Sequence, residues 1–108
     1  MSPFDPRSYF NGVGLAMAHL VARHFEQAIE FADRTLYTQP RTATAIRVKI
    51  VAYAHLGRLD EARAAAARML AIDPRFTVGA MRALGAPSFA PEFLELYLTG
   101  LRLAGVAE

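Results

Sequence analysis

The sequence contains no cysteine, which excludes a disulfide framework and any metal site built on thiolates. The sequence also has no large excess of one charge, since its formal net charge is +2. Its arginines do not form a cluster but are scattered from Arg7 to Arg102. Surfaces that bind nucleic acids concentrate basic side chains on one face. We therefore expect no nucleic-acid partner, and the absence of cysteine fits a reducing compartment.

Long apolar runs are missing as well. The longest stretch without Asp, Glu, Lys or Arg runs from Ser8 to Ala22 and is shorter than the ~20 apolar residues that cross a bilayer. The opening residues MSPFDPR place an acid and a proline where a secretory signal has basic and then apolar residues. These features predict a soluble, cytoplasmic protein without a membrane partner, and 108 residues of 54% hydrophobic character suit a single folded domain.

The chain resembles itself at an offset of 34 residues. Like residues align at this offset: Pro40 with Pro74, Ala28 with Ala62, Ala32 with Ala66, Arg34 with Arg68, Leu36 with Leu70, Arg41 with Arg75, and His19 with Tyr53. A period of 34 with helical spacing is typical of the tetratricopeptide (TPR) repeat, in which each unit is a pair of antiparallel helices.

The second copy shows why each residue type stands where it does. Gly57 can adopt the left-handed conformation that ends a helix without a steric penalty. Ala62 and Ala66 are four positions apart, so they share one helix face and allow a neighbouring backbone to approach closely. Leu70 continues this face, and Pro74 follows where the helix must have ended.

The first copy is less regular. Its first helix is predicted from about Ser8 to Ala22, with Asp5 as N-cap and Pro6 in the first turn. Arg23 stands at the position of Gly57 in the second copy. The turn therefore either changes shape or holds a non-glycine residue at positive φ.

The pattern changes after Pro74. Residues 76–84 predict a short helix that Gly85-Ala86-Pro87 interrupts, and a last helix starts near Pro91 and ends before Gly105. The predicted fold is all-α: a short TPR-like α-α solenoid of two helical hairpins, followed by an irregular third unit and a C-terminal capping helix. The predicted units are residues 8–41, 42–75 and 76–108.

The chain resembles a broad family through its repeat and a narrower group of proteins through its flanking segments. LGRLDEA, Leu70 and Asp73-Pro74 resemble the TPR family. The flanking segments are similar to the C-terminal TPR region of bacterial class III adenylate/guanylate cyclase proteins; these segments are SPFDPRSYFNGVGLAMAHLVARHFEQAIEFADR and FLELYLTGLRLAGVAE. Similar tails occur in regulators with a winged-helix DNA-binding domain. The resemblance implies a detached regulatory part of a larger signalling protein. Since no segment of the 108 residues matches the ATP-cyclising domain, we expect the chain to be inert towards ATP.

Residues for catalysis are not apparent. His19 aligns with Tyr53 and is interpreted as a packing residue, His24 falls in a turn, and His55 has no acidic neighbour at helical spacing. Neither a metalloprotease-type histidine motif nor a phosphate-binding glycine loop is present. We predict no enzyme activity and no catalytic, cofactor-binding or metal-binding residues.

A binding surface is the stronger prediction. The first helices of stacked repeats line a concave groove, and here the groove would be mainly apolar, with Arg47 and Arg82 orienting an acid on the partner. An amphipathic helix or apolar segment would suit it. Two alternatives stay open: the helix from Pro91 to Ala104 folds back and fills the groove, or the domain forms a homodimer or larger homo-oligomer that brings attached catalytic or DNA-binding domains together. The predicted groove residues are Phe10, Val13, Met17, Leu20, Val21, Thr44, Arg47, Val51, His55, Val78, Met81 and Arg82.

Overall fold

The computed structural model describes the backbone of residues 6–108 and the side chains of residues 12–108. Within these residues the chain forms α-helices and no strand, which confirms the predicted all-α class. None of the described helices has the length and apolar character needed to cross a bilayer. The helices are α1 (Pro6–Val21), α2 (Phe25–Thr38), α3 (Ala43–His55), α4 (Leu59–Ile72), α5 (Val78–Gly85) and α6 (Pro91–Leu103).

The backbone repeats itself at the offset found in the sequence. Both α2 and α4 are 14 residues long, and α4 begins and ends 34 positions after α2. Their N-caps have nearly the same backbone angles, φ −88° and ψ 75° at His24 against φ −87° and ψ 68° at Arg58. The turns before these two helices share a hydrogen bond, from His24 N–H to the His19 carbonyl (2.8 Å) in one and from Arg58 N–H to the Tyr53 carbonyl (2.9 Å) in the other.

Residue 23 keeps the shape of this turn although it is not glycine. Arg23 has φ 64°, and Gly57 at the equivalent position has φ 78°. Of the two possibilities the sequence left open, the non-glycine residue at positive φ is therefore the one observed. Gly105, also left-handed at φ 86°, ends α6 with the same type of bond, from Val106 N–H to the Leu101 carbonyl (3.0 Å).

We expect opposite effects from exchanging side chains in the two turns. Arg23→Gly should be neutral or should stabilise the fold by up to about 1 kcal/mol, because it relieves left-handed strain. Gly57→Val should lower the free energy of unfolding by about 1–2 kcal/mol; no atom lies within 4 Å of a Cβ built at Gly57, so this loss is conformational. Urea unfolding followed by circular dichroism measures both, and equal effects would contradict the equivalence of the two turns.

Helix α3 lies at the centre of the fold. It contacts α1, α2, α4 and α6, and α5 contacts α6. The alanines at the 34-residue offset pack as predicted: Ala28, Ala32, Ala62 and Ala66 are all buried. Their small side chains let the paired helices approach each other closely.

One detail of α4 differs from the prediction. Leu70 was expected on the buried face of α4 but is 36% exposed, whereas its equivalent Leu36 on α2 is 6% exposed. The reason is that α3 covers α2, and no described helix packs in the same way on the outer side of α4.

The C-terminal part closes on itself and on α3. The N–H groups of Val78 and Gly79, at the start of α5, donate to the carbonyls of Ala107 (2.8 Å) and Glu108 (2.9 Å). These bonds satisfy donors that have no partner within the helix. Helix α6 then crosses α3 at Gly100, where a built Cβ would lie 2.9 Å from Val51 Cα, so the two backbones are in close contact.

Candidate interaction surface

The part of the predicted groove on α3 is occupied by α6. Arg47 Nε donates to Tyr97 Oη (3.3 Å), and His55 Nε2 donates to the Leu96 carbonyl (2.7 Å). Between these two residues, Val51 is fully buried against Gly100. The sequence left open whether the groove on α3 is empty or filled by the C-terminal helix. In the structure α6 fills the part of the groove on α3.

The Arg47–Tyr97 contact is internal to the fold. Arg47 Nη2 also donates to Thr44 Oγ1 (3.1 Å), so the predicted residues Thr44 and Arg47 are held together. Burial raises the pKa of the Tyr97 phenol above its ordinary value of 10.0, although Arg47 acts in the opposite direction. Tyr97 is therefore neutral at physiological pH and accepts the guanidinium hydrogen bond.

The predicted residues of α5 are also engaged within the chain. Val78 and Met81 are buried among the core side chains. Arg82 is exposed and pairs with Glu95 of α6 at 3.2 Å. An acid on a partner would therefore have to displace Tyr97 from Arg47 or Glu95 from Arg82.

Within the described residues, only α1 leaves predicted groove residues partly open to solvent without an internal polar partner. Leu20 is buried, Val13 and Met17 are half-buried, and Val21 is 48% exposed. The side chain of Phe10 lies outside the described residues. The predicted groove residues on α3 and α5 therefore belong to internal contacts, whereas Val13, Met17 and Val21 on α1 border solvent.

An uncharged face of α1 is exposed beside these residues. We call it the α1 outer face, and its spacing places all members within about one third of the helix circumference. Leu15 is 43% exposed on it, and a Cβ built on Gly14 would meet no atom within 4 Å. The α1 outer face consists of Gly14, Leu15, Ala18, Val21 and Ala22, all of which are exposed.

The equivalent face of α3 is covered by α2. Val48 and Ala52, which lie 34 positions after Gly14 and Ala18, are fully buried. Lys49, 34 positions after Leu15, pairs with Asp33 of α2 at 2.7 Å. The same helix face therefore packs against a neighbouring helix in the second repeat and is open in the first. An exposed apolar patch of this kind is typical of an interaction surface.

A second concavity lies between α3 and α4. It encloses about 280 Å³ and is lined by Ile46, Lys49, Tyr53, Glu61, Ala64, Ala65 and Arg68. Its charged groups have partners: Glu61 binds Arg58 through two bonds of 2.7 Å, and Arg68 donates to the Pro40 carbonyl at 2.9 Å. The hydrogen bond to Glu61 raises the pKa of Arg58. This arrangement stabilises the surface and does not resemble a set of catalytic groups.

The histidines make contacts that suit packing. His19 stacks on Phe31 with ring centroids 5.3 Å apart, and its Nδ1 lies 3.4 Å from Nδ1 of His24. His55 stacks on Phe25 at 5.4 Å. Within the described part of the chain, no three His, Asp or Glu side chains are close enough to hold a metal ion together. The expectation of a non-catalytic chain stays a prediction.

The sequence-based prediction of the groove did not include Gly14, Leu15, Ala18 and Ala22. A signal for them was present, because Leu15 replaces the charged Lys49 of the other copy and makes the first repeat more apolar at that position. Comparison of the chain with protein-family models, with curated proteins and with solved structures gave no match. The likeness to TPR proteins and to cyclase C-terminal regions therefore stays a prediction.

Proposed function

We propose that the chain is a non-catalytic protein–protein interaction or regulatory module, the C-terminal part of a larger bacterial signalling protein such as an adenylate/guanylate cyclase. The observation that supports this role is the α1 outer face, which is open although the equivalent face of α3 is buried by a helix. The resemblance of the flanking sequences supplies the type of parent protein. The module works by docking on α1, since α6 occupies α3.

The chemistry of the α1 outer face indicates the kind of partner. It carries no charge and has the small residues Gly14, Ala18 and Ala22 at intervals of four. Small side chains at this spacing allow another helix to lie close. Covering the exposed parts of Leu15 and Val21 would contribute about 1 kcal/mol from each side chain. An amphipathic helix with its apolar side on α1 is the partner that fits.

The proposed role predicts a selective loss of binding. In calorimetry against the remaining domains of the full-length polypeptide, purified separately, Leu15→Glu should weaken binding at least ~10-fold, because the contact would bury an unpaired carboxylate. Leu84→Glu is the matched control, since Leu84 is an exposed leucine on α5, and it should leave binding unchanged. Absence of binding by the unaltered chain would exclude those domains as the partner, and equal effects of the two variants would exclude the α1 outer face.

Homo-oligomerisation is the second candidate function. In this role the module would bring together attached catalytic or DNA-binding domains. A specific observation favours it: the outer side of α4 is exposed at Leu70, so the described structure has an open helix face on α4 as well as on α1.

A further inference from the structure

We propose that the partner of the α1 outer face is a second copy of this chain, which docks through the outer face of its α4. Neighbouring copies would then associate head to tail, with α4 of one copy packed on α1 of the next as α2 packs on α3 within one copy. This inference rests on the proposed interaction role and names the occupant of the same surface.

The template for this contact is the packing of α2 on α3. Ile29, Asp33 and Leu36 lie on one face of α2, at spacings of four and three residues. Ile29 and Leu36 are buried, and Asp33 forms the ion pair with Lys49 of α3. This face of α2 therefore consists of two apolar anchors on either side of a charged contact.

The equivalent face of α4 is open. Arg63, Ala67 and Leu70 lie 34 positions after these residues of α2, and all three are exposed. Because α4 packs against α3 and not appreciably against α5 or α6, the C-terminal helices leave this face free. The α4 outer face is defined by these three residues.

The strongest observation is the match between the two open faces. Leu15 lies 34 positions before Lys49, and Ala67 lies 34 positions after Asp33. In the proposed contact, Leu15 of one copy would therefore face Ala67 of the next, as Lys49 faces Asp33 within one copy. Both Leu15 and Ala67 are apolar. A charge at only one of the two positions would leave an unpaired ion in the contact, which is unfavourable. The two faces are therefore complementary at the position where the internal contact uses opposite charges.

One position on the α4 outer face departs from the template. Arg63 stands where α2 has Ile29, and its Nη1 lies 3.4 Å from an oxygen of Asp60, with 59% of its side chain exposed. Arg63 is at the edge of the face, nearest the start of α4. There its alkyl stem can cover apolar surface while the guanidinium stays in water.

The geometry has a consequence for stoichiometry. Two different faces meet in this contact, so the interface is heterologous, and each added copy leaves one free face at either end. Association should therefore continue beyond a dimer as concentration rises. A symmetric contact of α1 with α1 would stop at two copies.

Sedimentation velocity of the full chain tests the proposal. The average mass of the unaltered chain should rise with concentration past that of a dimer, and Leu15→Glu and Leu70→Glu should each raise the self-association Kd at least ~10-fold. A mixture of the two variants should form a 1:1 dimer and nothing larger, because only one intact pair of faces remains. Leu84→Glu should behave like the unaltered chain, and circular dichroism should show unchanged helix content in all variants.

A charge-pair exchange provides a second readout. Self-association should weaken in a sample whose copies all carry Leu15→Lys, and also in a sample whose copies all carry Ala67→Asp. A mixture of the two single variants should regain association, because one of its contacts recreates the Lys49–Asp33 arrangement. Recovery that disappears at high salt would support an ion pair at this position. Absence of recovery would overturn the proposed register.

The remaining outcomes separate this inference from the proposed function. A strict monomer at the highest attainable concentration would overturn self-association, and the calorimetric test of the parent's other domains would still decide the interaction role. Loss of association with Leu15→Glu but not with Leu70→Glu would overturn the head-to-tail contact in favour of a symmetric one through α1. If Leu70→Glu abolishes self-association yet leaves binding of the other domains intact, the two contacts are distinct.

Discussion

Gly100→Val should lower the free energy of unfolding by about 3 kcal/mol, which is the upper end of the usual range for overpacking. A Cβ at this position would lie 2.9 Å from Val51 Cα, 3.0 Å from its Cγ1 and 3.2 Å from its Cβ. The backbone of α3 cannot yield easily, because α1, α2 and α4 hold it from other sides. Helix α6 would therefore have to move away and expose its buried side chains.

The alanine variant makes this expectation sharper. In a helix, exchanging glycine for alanine normally stabilises by about 1 kcal/mol, so a net loss at Gly100 can arise only from the contact with α3. Gly14→Ala is the matched control, since Gly14 also lies within a helix and has open space around it. We expect Gly14→Ala to raise the urea midpoint and Gly100→Ala to lower it. A rise in both would contradict the packing of α6 on α3.

The repeat was predictable because its signals are local. Helix ends are set by glycine, proline and polar residues at fixed positions, and Gly57, Pro40 and Pro74 carry that information in the sequence. The alanines at the same offset then identify the faces that touch within each hairpin. These features predicted that two helical hairpins repeat at an offset of 34 residues, and they also predicted that Arg23 would take positive φ if the turn kept its shape.

The position of α6 was not determined by the same reasoning. Periodicity shows that α6 has an apolar face, but it does not say which helix that face contacts, so a filled groove and an open one stayed as alternatives. The informative residue was Gly100, a glycine on the apolar face of this helix. Such a residue often marks a close approach of another backbone, but the partner Val51 is known only from the structure.

The candidate site illustrates a limit of repeat alignment. Equivalent positions share a fold but not an environment, because exposure depends on whether a neighbouring unit is present. For this reason Leu36 of the first repeat is buried and Leu70 of the second repeat is exposed. Conversely, Ala18 of the first repeat is exposed and Ala52 of the second repeat is buried. The groove on α3 was predicted from alignment alone and is covered by α6. The α1 outer face is indicated in the sequence by Leu15, where the second copy has a lysine, and comparing exposure at the two copies identifies it.

The close packing of α4 on α3 at Ala62 predicts the second large effect on the free energy of unfolding. Ala62 is fully buried at the place where α4 meets α3, and Ala71, on the same helix, is exposed. Leucine has nearly the same helix propensity as alanine, so Ala62→Leu and Ala71→Leu differ mainly in whether three added carbon atoms have room. This pair separates close packing from the general preference of alanine for helices.

Ala62→Leu should lower the free energy of unfolding by about 2–3 kcal/mol, because the larger side chain forces the helices of the second hairpin apart. Ala71→Leu should stay within about 0.5 kcal/mol of the unaltered chain, as is usual for exposed positions. Urea unfolding followed by circular dichroism gives both values under the same conditions. If Ala62→Leu were as harmless as Ala71→Leu, α3 and α4 would not be in the close contact that the small side chain permits. The 34-residue repeat would then lose its physical basis, because the same alanine recurs in α2 at Ala28.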